Sequence, residues 1–306
     1  MTDERAAITR WQYRYGLVLI LPWILAFVVF WLYPLVEALL LSVSQYSTLT
    51  GEREWVGIAN YTALLDDPLF WRALLNTAIF TAGTVPVTTV LSVTIAVLLD
   101  RLATQRLGAL LRTAYFLPTV TSLVVVALIF TNLYARDGAL NALLSAIGLP
   151  YPERGWLLEP RTALGAIMAM DVWMATGYYA VIVLAGLQTI PRHLYEASTL
   201  DSATSWQQFR LITLPLLKPT LLFVVVMNTI KSFQVFAEVY VMTRGGPLEG
   251  TTTTLVYELY RNAFERTDGM GYAAAIAAIV FIAIAGVSWL QIRLIAERSL
   301  AGRIGS

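Results

Sequence analysis

The residues with chemistry to offer sit where charge is expensive. Lys231 and Glu238 lie in an apolar stretch from Pro219 to Met242, and Asp171 lies midway along another, Ala163 to Leu187. An ionisable group at the centre of a membrane helix costs about 2.5–3.5 kcal/mol, so each needs a partner or an aqueous cavity. On a helical wheel, Asn228, Lys231, Gln234, Val235 and Glu238 share an arc of about 120°, while Ile230, Phe233 and Ala237 face elsewhere. A stripe of ammonium, carboxylate and amides suits a wet path that hydrogen-bonds a polar solute. The competing role for Lys231 and Glu238 is packing or gating, through a partner chain or bridging water. Two turns separate them, which rules out direct contact along one straight helix. Asp171, followed by Trp173, Thr176, Tyr178 and Tyr179, either lines the same path or makes a structural hydrogen bond. Glu37 lies near the outer end of its run, where the interface is within reach.

The elements that must hold these residues are membrane helices. The chain is 58% hydrophobic and 13% charged, with a mean hydropathy of +0.66, well outside the range of soluble domains. Six uncharged or nearly uncharged runs are long enough to cross about 30 Å of hydrocarbon: Leu17 to Leu41, Leu74 to Leu99, Thr113 to Tyr134, Ala163 to Leu187, Pro219 to Met242 and Tyr272 to Ile292. They lack the alternation of barrel strands, so backbone satisfaction in lipid makes them helices. The expected class is an all-α polytopic membrane protein, one transmembrane domain over 1–306 with both termini in the cytoplasm. The first run is too long for a signal peptide, and Trp31 to Glu37 is no small-residue cleavage site. With no cysteine and His193 as the single histidine, thiolate, haem-thioether and His-cluster metal sites are excluded.

Cations set the orientation. With cytoplasmic termini, more than half of the 21 Lys and Arg fall inside, among them Arg5, Arg10, Arg14, Arg192, Arg210, Lys218 and Arg303. Acids such as Glu52, Asp137, Glu249 and Asp268 fall outside, a weak consistency check. Three longer outer loops carry Trp, Tyr, Gly and Pro, as in Trp55 to Tyr61 and Gly245-Gly-Pro247, which suits anchoring at the interface. Pro86 and Pro118 interrupt their spans, and Gly165, Gly177 and Gly186 allow close helix approach.

The inner loop, about 188–218, has a shape of its own. Pro191 fits a helix's first turn with Thr189 as its cap, predicting a helix from Arg192 to Leu200. A second begins near Ser205, where Thr204 and Ser205 precede Gln207 and Gln208 at capping-box spacing and Trp206, Phe209 and Ile212 share a side. Pro215 and Pro219 are expected to stop it before the fifth span. A simple connector could also look like this.

The sequence from Leu194 to Pro219 decides between these readings. It resembles the "EAA" cytoplasmic loop of ABC importer permeases, with Glu196-Ala197 and Asp201-Ser202-Ala203 at the family's spacing and Trp206, Phe209, Ile212, Leu214-Pro215 and Pro219 in register. Ser198 replaces the family's second Ala, and Ser202 replaces the Gly after Asp. A serine in a left-handed turn costs about 1 kcal/mol, so a differently shaped turn is expected. Gly57-Ile-Ala-Asn-Tyr61, Asp67-Pro68, Asn76-Thr77, Phe233 to Pro247, Thr251 to Leu255 and Tyr257 to Phe264 resemble the carbohydrate branch, in particular the maltose-type first permease.

That resemblance implies a type I ABC importer permease bundle in a bacterial cytoplasmic membrane. It implies a second permease, two ATPases docking on Glu196, Ala197, Asp201, Ser202, Ala203, Trp206 and Phe209, and an extracytoplasmic solute-binding protein. His193 would lie near the ATPase contact as an ordinary surface residue. The solute would be a di- or oligosaccharide, with glycerol phosphate as the alternative. Its hydroxyls and ring faces suit Asn228, Lys231, Gln234, Glu238 and Asp171 beside Phe233, Phe236 and Tyr240. No G-x-x-x-x-G-K-[ST] segment is present. The chain is therefore expected to be no enzyme and to bind no cofactor or metal, with ATP and Mg held by the partner ATPases, and no nucleic-acid partner is expected. An ion-coupled secondary transporter is the rival class, although no internal repeat is evident.

Overall fold

The structure, a computed structural model, describes residues 18–102, 106–248 and 250–301. Arg5, Arg10, Arg14, Leu17, Glu249 and Arg303, used above for orientation and for the start of the first span, lie outside these residues. Among the described residues five helices are long and apolar enough to span a bilayer, and one sharply bent pair supplies a sixth crossing.

In chain order, α1 is Val18–Ser42, followed by a hairpin of β1 (Ser44–Tyr46) and β2 (Arg53–Trp55), then α2 (Ala59–Asp66) and α3 (Pro68–Arg101). Next come α4 (Arg106–Phe116) with a 3-10 turn at Leu117–Val120, α5 (Leu123–Leu133), α6 (Ala139–Ala146) and α7 (Ala163–Gln188). The remainder is α8 (Arg192–Leu200), α9 (Ser205–Phe233), α10 (Ala237–Met242), α11 (Leu255–Tyr260) and α12 (Met270–Ala301). The chain forms two compact units, one of Met1–Leu64 with Arg261–Ala278 and one of Leu65–Tyr260 with Ile279–Ser306.

In the smaller unit the Gly57 to Tyr61 segment closes the end of α1. Asn60 Nδ2 donates to the carbonyls of Ser42 and Ser44 at 2.9 and 3.0 Å, and Tyr61 Oη meets Ser42 Oγ at 2.8 Å. These bonds satisfy carbonyls that a helix end leaves open. Glu37 accepts from Arg53 at 2.7 Å, which ties α1 to β2.

The larger unit holds the polar residues. Asp67 caps α3 by accepting the Leu69 N–H at 2.8 Å, with Pro68 at the first turn. Contrary to the expected interruption, α3 runs 34 residues straight through Pro86. Pro118 does break its span. The third expected span, 113–134, is two pieces, Leu110–Val120 and Leu123–Leu133, set at 99°. The fifth, 219–242, is also broken: α9 ends at Phe233 and α10 starts at Ala237, with Gln234 to Phe236 irregular between them. Irregular backbone at membrane depth persists only when protein or water satisfies it. Here Thr254 Oγ1 donates to the freed Val235 carbonyl at 2.8 Å.

The same polar belt fixes the loop after the fifth span. Asn76 Nδ2 donates to Gly250 and Thr253 carbonyls at 2.8 and 2.9 Å, Thr77 Oγ1 accepts the Leu255 N–H at 3.0 Å, and Thr243 and Thr252 hydroxyls meet at 2.7 Å. Gly245 and Gly246 turn with φ of 93° and 116°, a region that disfavours side chains. The resemblance motifs Asn76-Thr77, Gly245-Gly246-Pro247 and Thr251 to Leu255 are thus parts of one clasp.

Two apolar clusters pack this unit. One joins Phe80, Ile167, Met170, Val235, Val239 and Tyr257, and the other joins Ala96, Tyr179, Val183, Leu187, Leu217 and Val224. A side chain at Gly177 would strike the Tyr115 carbonyl and one at Gly186 would strike Thr220, as close approach requires. Gly165 faces open space, so the expectation fails there.

Candidate functional site

The loop between α7 and α9 is a rigid bracket. The first helix falls at Arg192–Leu200 as the spacing predicts, but Pro191 occupies the capping position; Thr189 donates instead to the Gly186 carbonyl at 2.8 Å and closes α7. Beyond Leu200 the chain makes a Schellman turn: Ala203 N–H bonds the Ser198 carbonyl and Ser202 N–H the Thr199 carbonyl, both at 3.0 Å. Ser202 takes φ 59°. Ser202 therefore makes the left-handed turn itself, although its side chain had suggested a different shape. We expect Ser202→Gly to raise the thermal stability of the purified protein by about 1 kcal/mol, since only the strained φ is relieved.

The second helix starts with the predicted capping box. Gln207 N–H reaches Thr204 Oγ1 at 3.3 Å, and Thr204 N–H reaches Gln207 Oε1 at 2.7 Å. Pro215 and Pro219 do not stop it. A widened π turn at Phe209–Thr213 precedes Leu214-Pro215, where a missing N–H and the ring would collide with a regular ladder, and the helix then continues to Phe233. The bracket is one piece with the fifth span.

Side chains lock the two bracket helices together. Gln208 Nε2 donates to Ser198 Oγ at 2.9 Å and Thr199 Oγ1 at 3.2 Å, and the Tyr195 and Thr213 hydroxyls meet at 2.9 Å. The departure at Ser198 thus supplies an acceptor that alanine lacks, which sequence reasoning missed. Leu194, Tyr195 and Ile212 pack inward against the Val183 and Leu187 cluster. Glu196, Ala197, Asp201 and Ser202 face out, Ala203 and Phe209 are half-buried, and His193 is exposed. Leu200 and Trp206 are 88% and 67% exposed, with the Trp206 and Phe209 rings stacked at 5.6 Å. An exposed apolar tip flanked by two carboxylates, on a stiff base, is suited to docking.

At the other candidate site, the break at 234–236 dissolves the continuous stripe expected on a straight helix. Asp171 and Lys231 come together, with Nζ to Oδ1 at 3.1 Å, and Glu238 lies in electrostatic reach of both. Lys231 and Gln234 are exposed. Lys231 faces a cavity of 270 Å³ lined also by Thr119 of the α4–α5 elbow and by Met174, Ala175, Tyr178 and Tyr179 of α7. Phe236 and Tyr240 lie 5.4 Å apart at a tilt of 31° and meet Tyr260 at 4.9 and 5.4 Å, with Tyr257 at 6.4 Å from each. Tyr257 and Tyr260 were not among the expected aromatics.

Two residues of the expected path lie elsewhere. Phe233 lines a separate groove with Thr81, Pro86 and Gln291. Asn228 is wholly buried, one turn from Ser232, which meets Thr84 of α3 at 3.2 Å. Neither amide atom of Asn228 has a hydrogen-bond partner among the described residues. Burying an unsatisfied amide costs about 1–3 kcal/mol. Asn228→Leu is therefore expected to raise the midpoint of thermal unfolding, and an unchanged or lower midpoint would show that the amide is satisfied in the assembled protein.

Within the larger unit, long apolar helices, two of them broken, carry the Asp171–Lys231 pair and a rigid bracket with an exposed apolar tip, as suits a membrane-embedded permease. The chain belongs to the family of binding-protein-dependent transport system inner membrane components, whose model matches residues 68–296. It is 36% identical over 299 residues to the lactose transport system permease protein LacF of Rhizobium radiobacter, covering 97% of this chain and 99% of the relative. It is 33% identical over 282 residues to the trehalose/maltose transport system permease protein MalF of Thermococcus litoralis, covering 91% and 93%. A solved bacterial alginate ABC transporter, in complex with an alginate pentasaccharide-bound periplasmic protein, contains a chain of the same fold, with a TM-score of 0.77, 22% identity and 96% of each chain covered.

Proposed function

We propose that this chain is one of two permease subunits of an ATP-driven, binding-protein-dependent importer of a di- or oligosaccharide in a bacterial cytoplasmic membrane. Both termini and the bracket face the cytoplasm, where two partner ATPases hold ATP and Mg and this chain binds no cofactor. A solute-binding protein delivers the sugar from the opposite side. Nucleotide-driven closure of the ATPases presses on the 194–219 bracket, and the bundle alternates between inward- and outward-facing states.

The observation that carries this reading is mechanical. The bracket's two helices are hydrogen-bonded together, its tip exposes Leu200 and Trp206, and it is continuous with the helix carrying Lys231 next to the break. Force applied at Leu200 and Trp206 is thereby delivered to the polar midsection. The sugar assignment rests on the relatives named for lactose and trehalose/maltose transport, and exposed Gln234 beside the break supplies matching amide chemistry.

The test is reconstitution with the partner permease, ATPases and binding protein in proteoliposomes, followed by uptake of labelled lactose, maltose and trehalose. Uptake that requires ATP supports the reading; uptake driven by an ion gradient without nucleotide overturns it. Within that assay Gln234→Ala is expected to slow sugar uptake about fivefold, the equivalent of one lost hydrogen bond of about 1 kcal/mol, while the complex still assembles. Unchanged uptake would remove Gln234 from the path.

A further inference from the structure

A polar cavity of 490 Å³ lies where two long apolar helices end and the bracket begins. Arg101, the last residue of α3, and Arg192, the first of α8, line it with Asp100, with Gln188 at the end of α7 and with Ser205 at the start of α9. Asp100, Arg101 and Arg192 are exposed, and none of them forms a salt bridge among the described residues. Both guanidinium groups are therefore available, and two of them against one carboxylate leave one net positive charge. Arg101 sits on the negative end of α3, and the first turn of α8, which no side chain caps, adds open N–H groups beside Arg192. Away from the cavity an apolar face continues. Val97, Thr94, Val90 and Val87 follow at helical spacing along one side of α3, where Val97 lines the cavity and Val90 and Val87 are 64% and 49% exposed.

We propose that this cavity binds the phosphodiester of a membrane phospholipid, with Arg101 and Arg192 on the phosphate and an acyl chain along the Val97 to Val87 face. Depth supports a lipid: α3 and α7 are each long enough to cross the bilayer, so their ends at Arg101 and Gln188 reach headgroup level. Guanidinium forks match phosphate oxygens in shape as well as charge. Charge selects the diester, whose single negative charge answers the one net positive charge; a phosphomonoester or nucleotide brings further negative charge toward Asp100. The apolar face separates a lipid from free phosphate, which would leave it bare. Among the described residues no hydrogen bond joins α3 to the bracket, and Ala96 and Leu99 meet Tyr195 and Ile212 in one apolar cluster. A phosphate held by Arg101 and Arg192 adds a polar tie between them and stiffens the base of the bracket. That mechanical consequence rests on the import reading above; the binding does not.

Native mass spectrometry of the assembled transporter in detergent, titrated with phosphatidylglycerol, reads lipid binding with no transport step. Arg101→Gln and Arg192→Gln are each expected to weaken the tightest lipid site about tenfold. Asp100→Asn removes a repulsion and is expected to tighten it about threefold. A glucosyl diacylglycerol with the same chains lacks the phosphate and is expected to bind about tenfold more weakly than phosphatidylglycerol, equally in the parent and the variants. Glycerophosphoglycerol and inorganic phosphate test the diester without chains and the free anion, and neither is expected to displace the lipid at about a hundredfold excess. Displacement by either assigns the cavity to a soluble phosphate and overturns the lipid. Phosphatidylglycerol binding that none of the three variants moves, or that Asp100→Asn weakens, overturns the site itself, including the case of an ATPase seated over it. Since neither nucleotide nor sugar enters the assay, a failure of ATP-driven uptake would bring down the import reading and leave these results in place.

Discussion

Glu196→Arg is expected to abolish the proposed ATP-driven uptake while leaving the permease folded. Glu196 is exposed on α8 and makes no hydrogen bond or ion pair within the described residues, so its replacement changes the chain's own stability by about 0.5 kcal/mol at most. The turn after Leu200, the capping box at Thr204 and the Gln208 to Ser198 bond are all made by other residues. On the proposed docking of an ATPase at this bracket, the damage is expected to fall on the partner contact. Reversing a charge within a matched surface costs several kcal/mol through like-charge apposition and desolvation, enough to lower ATPase occupancy more than a hundredfold. The measurement is paired: ATPase co-purification with the tagged permease, and nucleotide-dependent sugar uptake by the same preparation. An intact thermal midpoint with both signals lost is the expected result. Uptake at the parent rate would show that force enters the bundle elsewhere.

How much of this could be read in the chain itself depended on whether the signal was local. Spans follow from composition because hydrocarbon imposes a length on every apolar run. The bracket helices were legible because caps are set by residues within a few positions of one another, as Thr204 with Gln207, whereas Ser202 was expected to reshape a turn that it in fact makes at φ 59°. Pro215 misled because a proline's effect depends on whether the preceding turn can widen, which it does at Phe209–Thr213. The break at Gln234 to Phe236 left no composition signal, since the run stays mostly apolar across it. It exists because Thr254, 19 residues on, accounts for the Val235 carbonyl. The pairing of Asp171 with Lys231 crosses 60 residues, and a single sequence shows that each needs a partner without saying which. Asn228 was placed on the wet face by a helical wheel that ignores neighbours. It is the packing against α3 that buries it.

The Asp171 to Lys231 pair makes the second large prediction, one of stability. Lys231→Met removes the ammonium but leaves Asp171 at 2% exposure, a buried carboxylate without its cation. Removing the cation from a pair whose carboxylate is buried costs about 3 kcal/mol, because the remaining charge keeps its desolvation penalty and loses its compensation. In a chain of this size that corresponds to a midpoint about 5 °C lower. Adding Asp171→Asn to Lys231→Met should recover most of the loss, since a neutral amide needs no counter-charge, and the recovery separates electrostatics from the packing lost with the lysine stem. Sugar uptake should stay low in the recovered double variant, because the donor facing the cavity is still gone. If Lys231→Met melts with the parent, the ion pair contributes nothing to stability.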